Sequence, residues 1–366
     1  GYDATDLFSV EPRLGTLDDL QGLLDACHAR GMRVLLDFVP NHWSDQHPIF
    51  QSALQDEHSP YRDWFTFTRW PAEYETFFGV KNLPQVNLKH PDARQYMISA
   101  ALHWLNLGVD GFRLDYAIGP AQEFWADFRR QTRAANPHCW TFGEVIHPPD
   151  DQLAFEGLLD GCLDFNLLQA LRQTIAYETW DVPGLASFLE RHAAFFPESF
   201  SRPSFLDNHD MNRFLFVVGG DTRKLKLAAL CQFCLPGAPI VYYGTEVGLS
   251  QQRPTHVDGV GILAVSRLPM PWGEEQDAPL LDFYRRLAAL RQATPDLRSP
   301  GQRILRAEGQ LLVFQRGSTL VVCNIGPDSL EVPLPTPGLQ ITLATAEVEW
   351  TQETIRLSGW SGAVLN

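Results

Sequence analysis

The chain has 366 residues, enough for two or three domains of ordinary size or for one barrel with an appended domain. Asp and Glu total 44 against 29 Lys and Arg, a formal net charge of −15 with no run of five like charges, which argues against a nucleic-acid partner. No apolar run reaches the roughly 18 residues of a membrane span, and six scattered cysteines are not the framework of a disulfide-stapled secreted module, which favours reduced thiols and a cytoplasmic setting.

From Gly15 onward, stretches of helical period alternate with short runs of Val, Ile, Leu and Phe, each ending in a polar cluster. That is the pattern of repeated βα units. Thr16 caps a helix over 17–30 with Leu20, Leu23, Leu24 and Cys27 on one face, Gly31 stops it, and 32–39 reads as a buried strand. Residues 43–91 then interrupt the pattern with ten aromatics and little periodicity, as an excursion from the rim of the βα domain would. The alternation resumes with a helix at 91–107, a strand at 110–114, a helix at 120–135 and a strand at 139–142. A strand at 162–165 leads into helical 167–179 and 183–195. Strand 204–206 leads into helix 222–235, and strand 240–243 into a long loop and helix 278–293. Cys231 and Cys234 form C-x-x-C, but inside that apolar helix they read as core residues, not as a zinc or redox pair. After Pro300 the period changes to two, with strands at 310–315, 320–324, 330–334 and 340–344 in a small antiparallel domain.

Parallel strands joined by helices fit either an open doubly wound sheet or a closed barrel. The polar residues decide between them. Asp37, Asn41 and His42, then Arg113 and Asp115, then Glu144, then Asp207, Asn208, His209 and Asp210 all fall at strand C-terminal ends, and polar groups from so many strands converge only at the top of a closed barrel. Six strands are present where a (β/α)8 TIM barrel needs eight. The expected division is a catalytic barrel over 1–42 and 92–299, an excursion over 43–91 and an antiparallel β domain over 300–366.

A lone strand-end Asp is more often a helix cap or a surface charge than a catalyst. Three carboxylates at three strand ends, Asp115, Glu144 and Asp210, are what glycoside hydrolysis with retention uses, with one as nucleophile and one as proton donor. Arg113 lies two residues before Asp115 and so on the same face of the strand, where its cation would hold Asp115 ionised. Glu144 follows Phe142 and Gly143, an apolar surround that would raise its pKa towards acid duty. His42 and His209 would each be structural if alone; on one rim they suit neutral donors to sugar hydroxyls.

These clusters, in this order, resemble glycoside hydrolase family 13, the α-amylase family. Asp37-Phe-Val-Pro-Asn41-His42 is similar to its first signature, Gly111-Phe-Arg113-Leu-Asp115 to the second, Phe142-Gly-Glu144-Val to the third and Phe205-Leu-Asp207-Asn-His209-Asp210 to the fourth. Leu83-Pro-Gln-Val-Asn87 resembles the loop signature before the fourth strand, nearer the form of neopullulanases and cyclomaltodextrinases than that of oligo-1,6-glucosidases, and Gly1-Tyr2-Asp3 resembles the segment after the second strand. The resemblance implies a (β/α)8 barrel with Asp115 as nucleophile, Glu144 as general acid/base and Asp210 as transition-state stabiliser. Arg113, His42 and His209 become sugar contacts and Tyr2 a stacking platform, the 43–91 excursion becomes the family's B domain, and the substrate is an α-glucan or oligosaccharide. It also implies that the first two barrel strands precede Gly1, so that the natural protein is longer at its N-terminus.

Residues 116–119 lack the Lys-His pair that accompanies the nucleophile in many endo-acting α-amylases, which favours short α-glucans over starch. Asn41 matches a position that binds structural calcium in many relatives, and with Asp45 it offers oxygen ligands, although the chemistry itself requires no cofactor. The expected function is retaining hydrolysis of α-1,4 and also α-1,6 glucosidic bonds. The alternatives are a transglycosylase or isomerase of sucrose, trehalose or maltose, and a catalytically inactive binding subunit, which an intact triad disfavours. Unpaired barrel edges would also suit a homo-oligomer.

Overall fold

Thr16 opens the first helix with a reciprocal cap: its hydroxyl accepts from the backbone amide of Asp19, and the Asp19 carboxylate accepts from the amide of Thr16 at 2.8 Å. The computed structural model describes residues 1–335 and 338–366, in two compact units, Gly1–Cys162 and Leu163–Asn366. No helix among the described residues is long and apolar enough to cross a membrane.

The first unit runs α1 (Leu17–His28), β1 (Leu35–Phe38), α2 (Pro48–Gln55), a hairpin of β2 (Phe67–Arg69) and β3 (Glu73–Tyr74), α3 (Pro91–Asn106), β4 (Gly111–Leu114), α4 (Gln122–Ala135), β5 (Trp140–Gly143), α5 (Pro149–Leu153) and β6 (Gly161–Cys162). Strands β1, β4, β5 and β6 form a parallel sheet in that order, with Asp37 in register with Arg113 and Arg113 with Phe142. Side chains alternate along a strand, so one face carries Asp37 and Arg113 while the other carries Phe38, Phe112 and Leu114. The apolar face packs on α4: the Phe112 ring lies 5.4 Å from that of Phe38 and 6.0 Å from that of Phe128, all three buried. Burial of each ring contributes roughly 2 kcal/mol, which anchors the polar face opposite. Gly111 is required by close approach, since a Cβ there would lie 1.9 Å from the Trp140 carbonyl oxygen.

Two expectations change in this unit. Of the apolar stripe expected on α1, only Leu24 is buried and Leu23 is 54% exposed, so the stripe that packs is a single row. The aromatic excursion has its own structure: Phe50 meets Phe65 at 4.8 Å and Tyr74 at 5.0 Å, and Trp43 stacks on His47 at 4.3 Å. Its helix and hairpin are too short to show periodicity. Residues 84–86 tie it to the segment after β1, with Trp43 N donating to Pro84 O and Val86 N to Asn41 O, and Asn87 N donates to Trp64 O within the excursion.

The second unit begins with α6 (Phe165–Leu171), which runs into one π turn (Arg172–Ala176), then α7 (Val182–Phe195), α8 (Phe214–Val217), α9 (Thr222–Cys234), a hairpin of β7 (His256–Val257) and β8 (Val260–Gly261), α10 (Ala278–Ala293) and α11 (Pro295–Arg298). The expected strand at 162–165 ends at Cys162 because Asp164 caps α6, accepting from Leu167 N at 2.9 Å. The expected strands at 204–206 and 240–243 do not form ladders; a single parallel bridge joins Ser204 and Pro239. Pro203 and Pro239 carry no N–H, and side chains take the carbonyls a ladder would use. The bridge itself is made by Ser204 N donating to Ala238 O and Ile240 N to Ser204 O; beyond it Gln232 donates to Ile240 O and Arg172 to Leu206 O.

Strands β9 (Arg303–Glu308), β10 (Leu311–Arg316), β11 (Thr319–Asn324), β12 (Leu330–Pro333), β13 (Ile341–Ala344), β14 (Glu349–Trp350), β15 (Thr354–Leu357) and β16 (Ser361–Leu365) follow. They make two antiparallel sheets, β13-β16-β11-β10-β9 and β12-β15-β14. Leu312, Phe314, Val321 and Cys323 pack with the core that includes α9 and α10, while Leu311, Val313, Leu320 and Val322 face Ile355 and Leu357. Strands β11 and β16 are buried at every position, so neither presents a solvent-facing side. Cys231 and Cys234 are core residues of α9, as expected, and the Cys231 Sγ lies 3.9 Å from that of Cys323.

Candidate active site

In the first unit the site is built around one guanidinium. Arg113 is held by β4 with its side chain 12% exposed; its NH1 donates to Asp37 Oδ1 and Asp115 Oδ1, both at 2.8 Å, and its NH2 pairs with Glu144 Oε1 at 2.8 Å. The ladder sets this up, because Asp115 N donates to Phe38 O and Glu144 N to Leu114 O, continuing β4 and β5 into the two carboxylates. Asp115 is 7% and Glu144 9% exposed. Tyr2 closes the cluster, its hydroxyl donating to Asp37 Oδ2 at 2.5 Å with the Arg113 guanidinium 5.7 Å from its ring centroid.

Burial and close like charges shape the electrostatics. Burial pushes the Asp115 carboxyl up to about 7; Arg113 opposes this, while Glu144 and Asp37 add to it. The expectation that the Arg113 cation holds Asp115 ionised is therefore corrected: burial outweighs the cation, which is also shared with Asp37 and Glu144. Glu144 also departs from expectation: instead of an apolar surround it has Arg113 on Oε1 and the backbone amide of Tyr116 at 3.3 Å on Oε2. Burial outweighs other influences on His42 and lowers its pKa, so the ring is neutral at pH 7. Its Nε2 donates to the Tyr2 carbonyl at 3.0 Å, and Nδ1 is left to accept from Asn41 Nδ2 at 3.4 Å. His42 thus anchors the Tyr2 segment from below while its face stacks on Phe77 at 4.4 Å.

The second unit presents the other expected residues. His209 Nε2 lies 3.0 Å from Asp210 Oδ2, and Arg267 donates to Asp210 Oδ1 and to the His209 carbonyl, each at 2.9 Å. Asp207, three residues before Asp210, is buried and accepts from Thr245 Oγ1 and Phe214 N, and burial raises its pKa. Arg172 completes the clamp by donating to Leu206 O and Asn212 O on either side of the loop.

Sequence reasoning placed Asp37 among the polar strand ends but gave it no role, and the register that sets it beside Arg113 appears only in the sheet. It passed over Arg267, which comes from a loop without periodicity.

The family profile described as "Alpha amylase, catalytic domain" matches residues 1–280. The chain belongs to the α-amylase family of glycoside hydrolases. It is 40% identical over 299 residues to Alpha-amylase 2 of Dictyoglomus thermophilum, covering 81% of this chain and 53% of that protein. With a cyclomaltodextrinase of a Bacillus species it shares 37% identity over 320 residues, 84% of this chain and 55% of that one. The solved α-amylase from H. orenii matches with a TM-score of 0.88 at 25% identity, covering 100% of this chain and 86% of the other. The chain thus spans about half the length of these curated relatives. Membership in the α-amylase family implies a (β/α)8 barrel followed by an antiparallel β domain, the plan to which the parallel sheet of the first unit and strands β9 to β16 belong.

Asn41 is the position at which the resemblance implies a calcium ligand. Calcium takes roughly six to eight oxygens. Here Asn41 Oδ1 accepts from Gln85 Nε2 at 3.4 Å and is so close to Gly119 that a Cβ there would lie 2.2 Å away, while Asp45 Oδ1 accepts from Gln46. Among the described residues no three His, Cys, Asp or Glu gather to hold a metal.

Proposed function

We propose that this chain is the catalytic part of a retaining α-glucan hydrolase that cleaves α-1,4, and also α-1,6, glucosidic bonds of short maltooligosaccharides or cyclic maltodextrins. The observation that carries the reading is the single buried Arg113 guanidinium with Asp115 on one terminal nitrogen and Glu144 on the other. Retention needs two carboxyl groups side by side, one ionised and one protonated. In this reading Asp115 attacks the anomeric carbon as the glycosidic C–O bond breaks, and Glu144 gives its proton to the leaving oxygen. Glu144 then takes a proton from water, and the resulting nucleophile displaces Asp115 from the anomeric carbon. Burial drives Asp115 towards the protonated form, so the Arg113 contact is what makes the nucleophilic form accessible near neutral pH.

Tyr2, hydrogen-bonded to Asp37, offers its ring to the sugar. Asp210, held by His209 and Arg267, takes the role of transition-state stabiliser that the family motif gives it. The chemistry so written requires no metal. The cyclomaltodextrinase relative and the loop signature at 83–87 support short or cyclic substrates.

The test is chromatographic product analysis after incubation with maltoheptaose, a cyclodextrin, pullulan, sucrose and trehalose, beside Asp115→Asn. Glucose, maltose or short maltooligosaccharides that keep the α-anomer and vanish in the variant are expected. Inverted products, or disaccharide isomers as the main product, would overturn the reading.

A further inference from the structure

On a chain whose formal net charge is −15, arginines of the second unit gather at one place. Arg202, Arg291 and Arg298 line a cleft of about 610 Å³ formed by the loop at 197–202, the turn at 236–239, the end of α10 and the residues that close α11. None of the three has a carboxylate partner among the described residues. Arg202 donates to the His192 carbonyl at 3.0 Å, with its guanidinium 4.9 Å from the Phe196 ring centroid, and Arg291 donates to the carbonyls of Phe233, Leu235 and Gly237. Carbonyls satisfy N–H groups but leave the positive charge without a counter-charge. Burial lowers the pKa of Arg202 and of Arg291, and the like charge of Arg298 adds to the effect on Arg291. A fourth guanidinium stands behind the wall: Arg316 is fully buried and donates to the carbonyls of Cys234, Ser299 and Gly301, which fixes the segment after Arg298. The carboxylate in the lining, Glu198, is exposed and pairs with none of these arginines among the described residues.

Crowded cations without a counter-charge are unfavourable, and an anion seated among them offsets that cost. The planar forks of arginine match the oxygens of a phosphate group. Arg202 uses one of its five N–H donors and Arg298 none among the described residues, so donors remain for a ligand, beside the hydroxyls of Ser199 and Ser201. We propose that this cleft is a binding site for a small phosphate-bearing ligand, a phosphate monoester or free phosphate, whose oxygens sit on Arg202, Arg291 and Arg298. Its volume lies in the range of about 300 to 1,000 Å³ typical of small-molecule sites, which leaves room for the organic part of an ester. The cleft shares no lining residue with the carboxylate cluster around Arg113 or with the His209, Asp210 and Arg267 group. Phosphate ligand and sugar therefore bind at separate places.

Isothermal titration calorimetry of the whole chain with glycerol 3-phosphate, inorganic phosphate and glycerol tests the site, and its readout does not depend on turnover of any sugar. At least one of the phosphate compounds should bind at one site per chain, and glycerol should not. Arg298 is exposed and makes no hydrogen bond among the described residues, so Arg298→Ala should melt as the parent does while weakening phosphate binding about tenfold. Glu198→Gln, which removes a repelling charge, should tighten it about twofold. Tighter binding of glycerol 3-phosphate than of inorganic phosphate would assign the cleft to an ester, and the reverse to free phosphate; both support the proposal. No heat from either phosphate compound, equal affinity for glycerol, or an affinity unchanged by Arg298→Ala would overturn it. Equal losses in Arg298→Ala and Glu198→Gln would mark a general loosening of the loops and would overturn it as well.

Discussion

Asp115 and Glu144 in the first unit and Asp210 in the second all follow barrel-type segments and all have an arginine partner, yet they are held in opposite surroundings. The first two are 7% and 9% exposed around an Arg113 side chain that is 12% exposed; the Asp210 side chain is 40% exposed and that of Arg267 36%. Coulomb energy scales inversely with the local dielectric, so the same ion pair acts strongly in the first place and is screened in the second. The buried cluster therefore carries displaced protonation and stored repulsion, while the exposed pair orients a carboxylate with little effect on stability.

Removing the shared cation should give the largest effect. Arg113→Ala leaves Asp37, Asp115 and Glu144 facing one another, and chemical denaturation at pH 7.5 should show a loss of about 3 kcal/mol. The carboxylates then protonate more readily in the folded state than in the unfolded chain, so the deficit should shrink as pH is lowered towards 4.

Neutralising the nucleophile should do the reverse. The Asp115 carboxyl, pushed up to about 7, keeps its proton in the folded state at pH values where the unfolded chain has lost it, so its contribution to stability is present at low pH and falls as pH rises towards 7. Asp115→Asn should accordingly be more stable than the parent at pH 8, by of the order of 2 kcal/mol, and equal to it near pH 4, while losing turnover. Equal melting curves at both pH values would show that the cluster is not strained.

Asp37→Asn removes a charge that raises Asp115 and releases Arg113 for the pair. The acid limb of the kcat/KM profile, which belongs to the Asp115 and Glu144 pair jointly, should move to lower pH. In the exposed cluster Arg267→Ala should change stability by less than about 1 kcal/mol, and the change should vanish in high salt. The smallest expected effect is that of a chelator: with Asn41 paired to Gln85 and His42, the melting temperature should not move, and a fall would restore calcium to the site.

Legibility followed the same divide between local and non-local causes. The helix cap at Thr16, the strands that became β1, β4 and β5, and the pairing of Arg113 with Asp115 rest on neighbours one to four residues apart, and all were readable from spacing. The strands expected at 204–206 and 240–243 shrink to one bridge, because beyond it side chains of the neighbouring helical segments, Gln232 and Arg172, take the carbonyls of Ile240 and Leu206. The environment of Glu144 was misjudged because its immediate neighbours are apolar while its actual partner comes from the adjacent strand.

The sequence by itself determined the family, the alternation of strands and helices in the first unit, the antiparallel character of the C-terminal strands and the identity of the acidic and basic residues at the strand ends. Those features depend on residue type and on periods of two or 3.6, which any folded form of the chain must respect. Only the tertiary structure decided that one guanidinium serves three carboxylates, that Asp115 is driven towards neutrality and that Arg202, Arg291 and Arg298 line one cleft. Each of these depends on the distance between groups far apart in the chain and on how much water remains between them, quantities that packing sets and spacing does not.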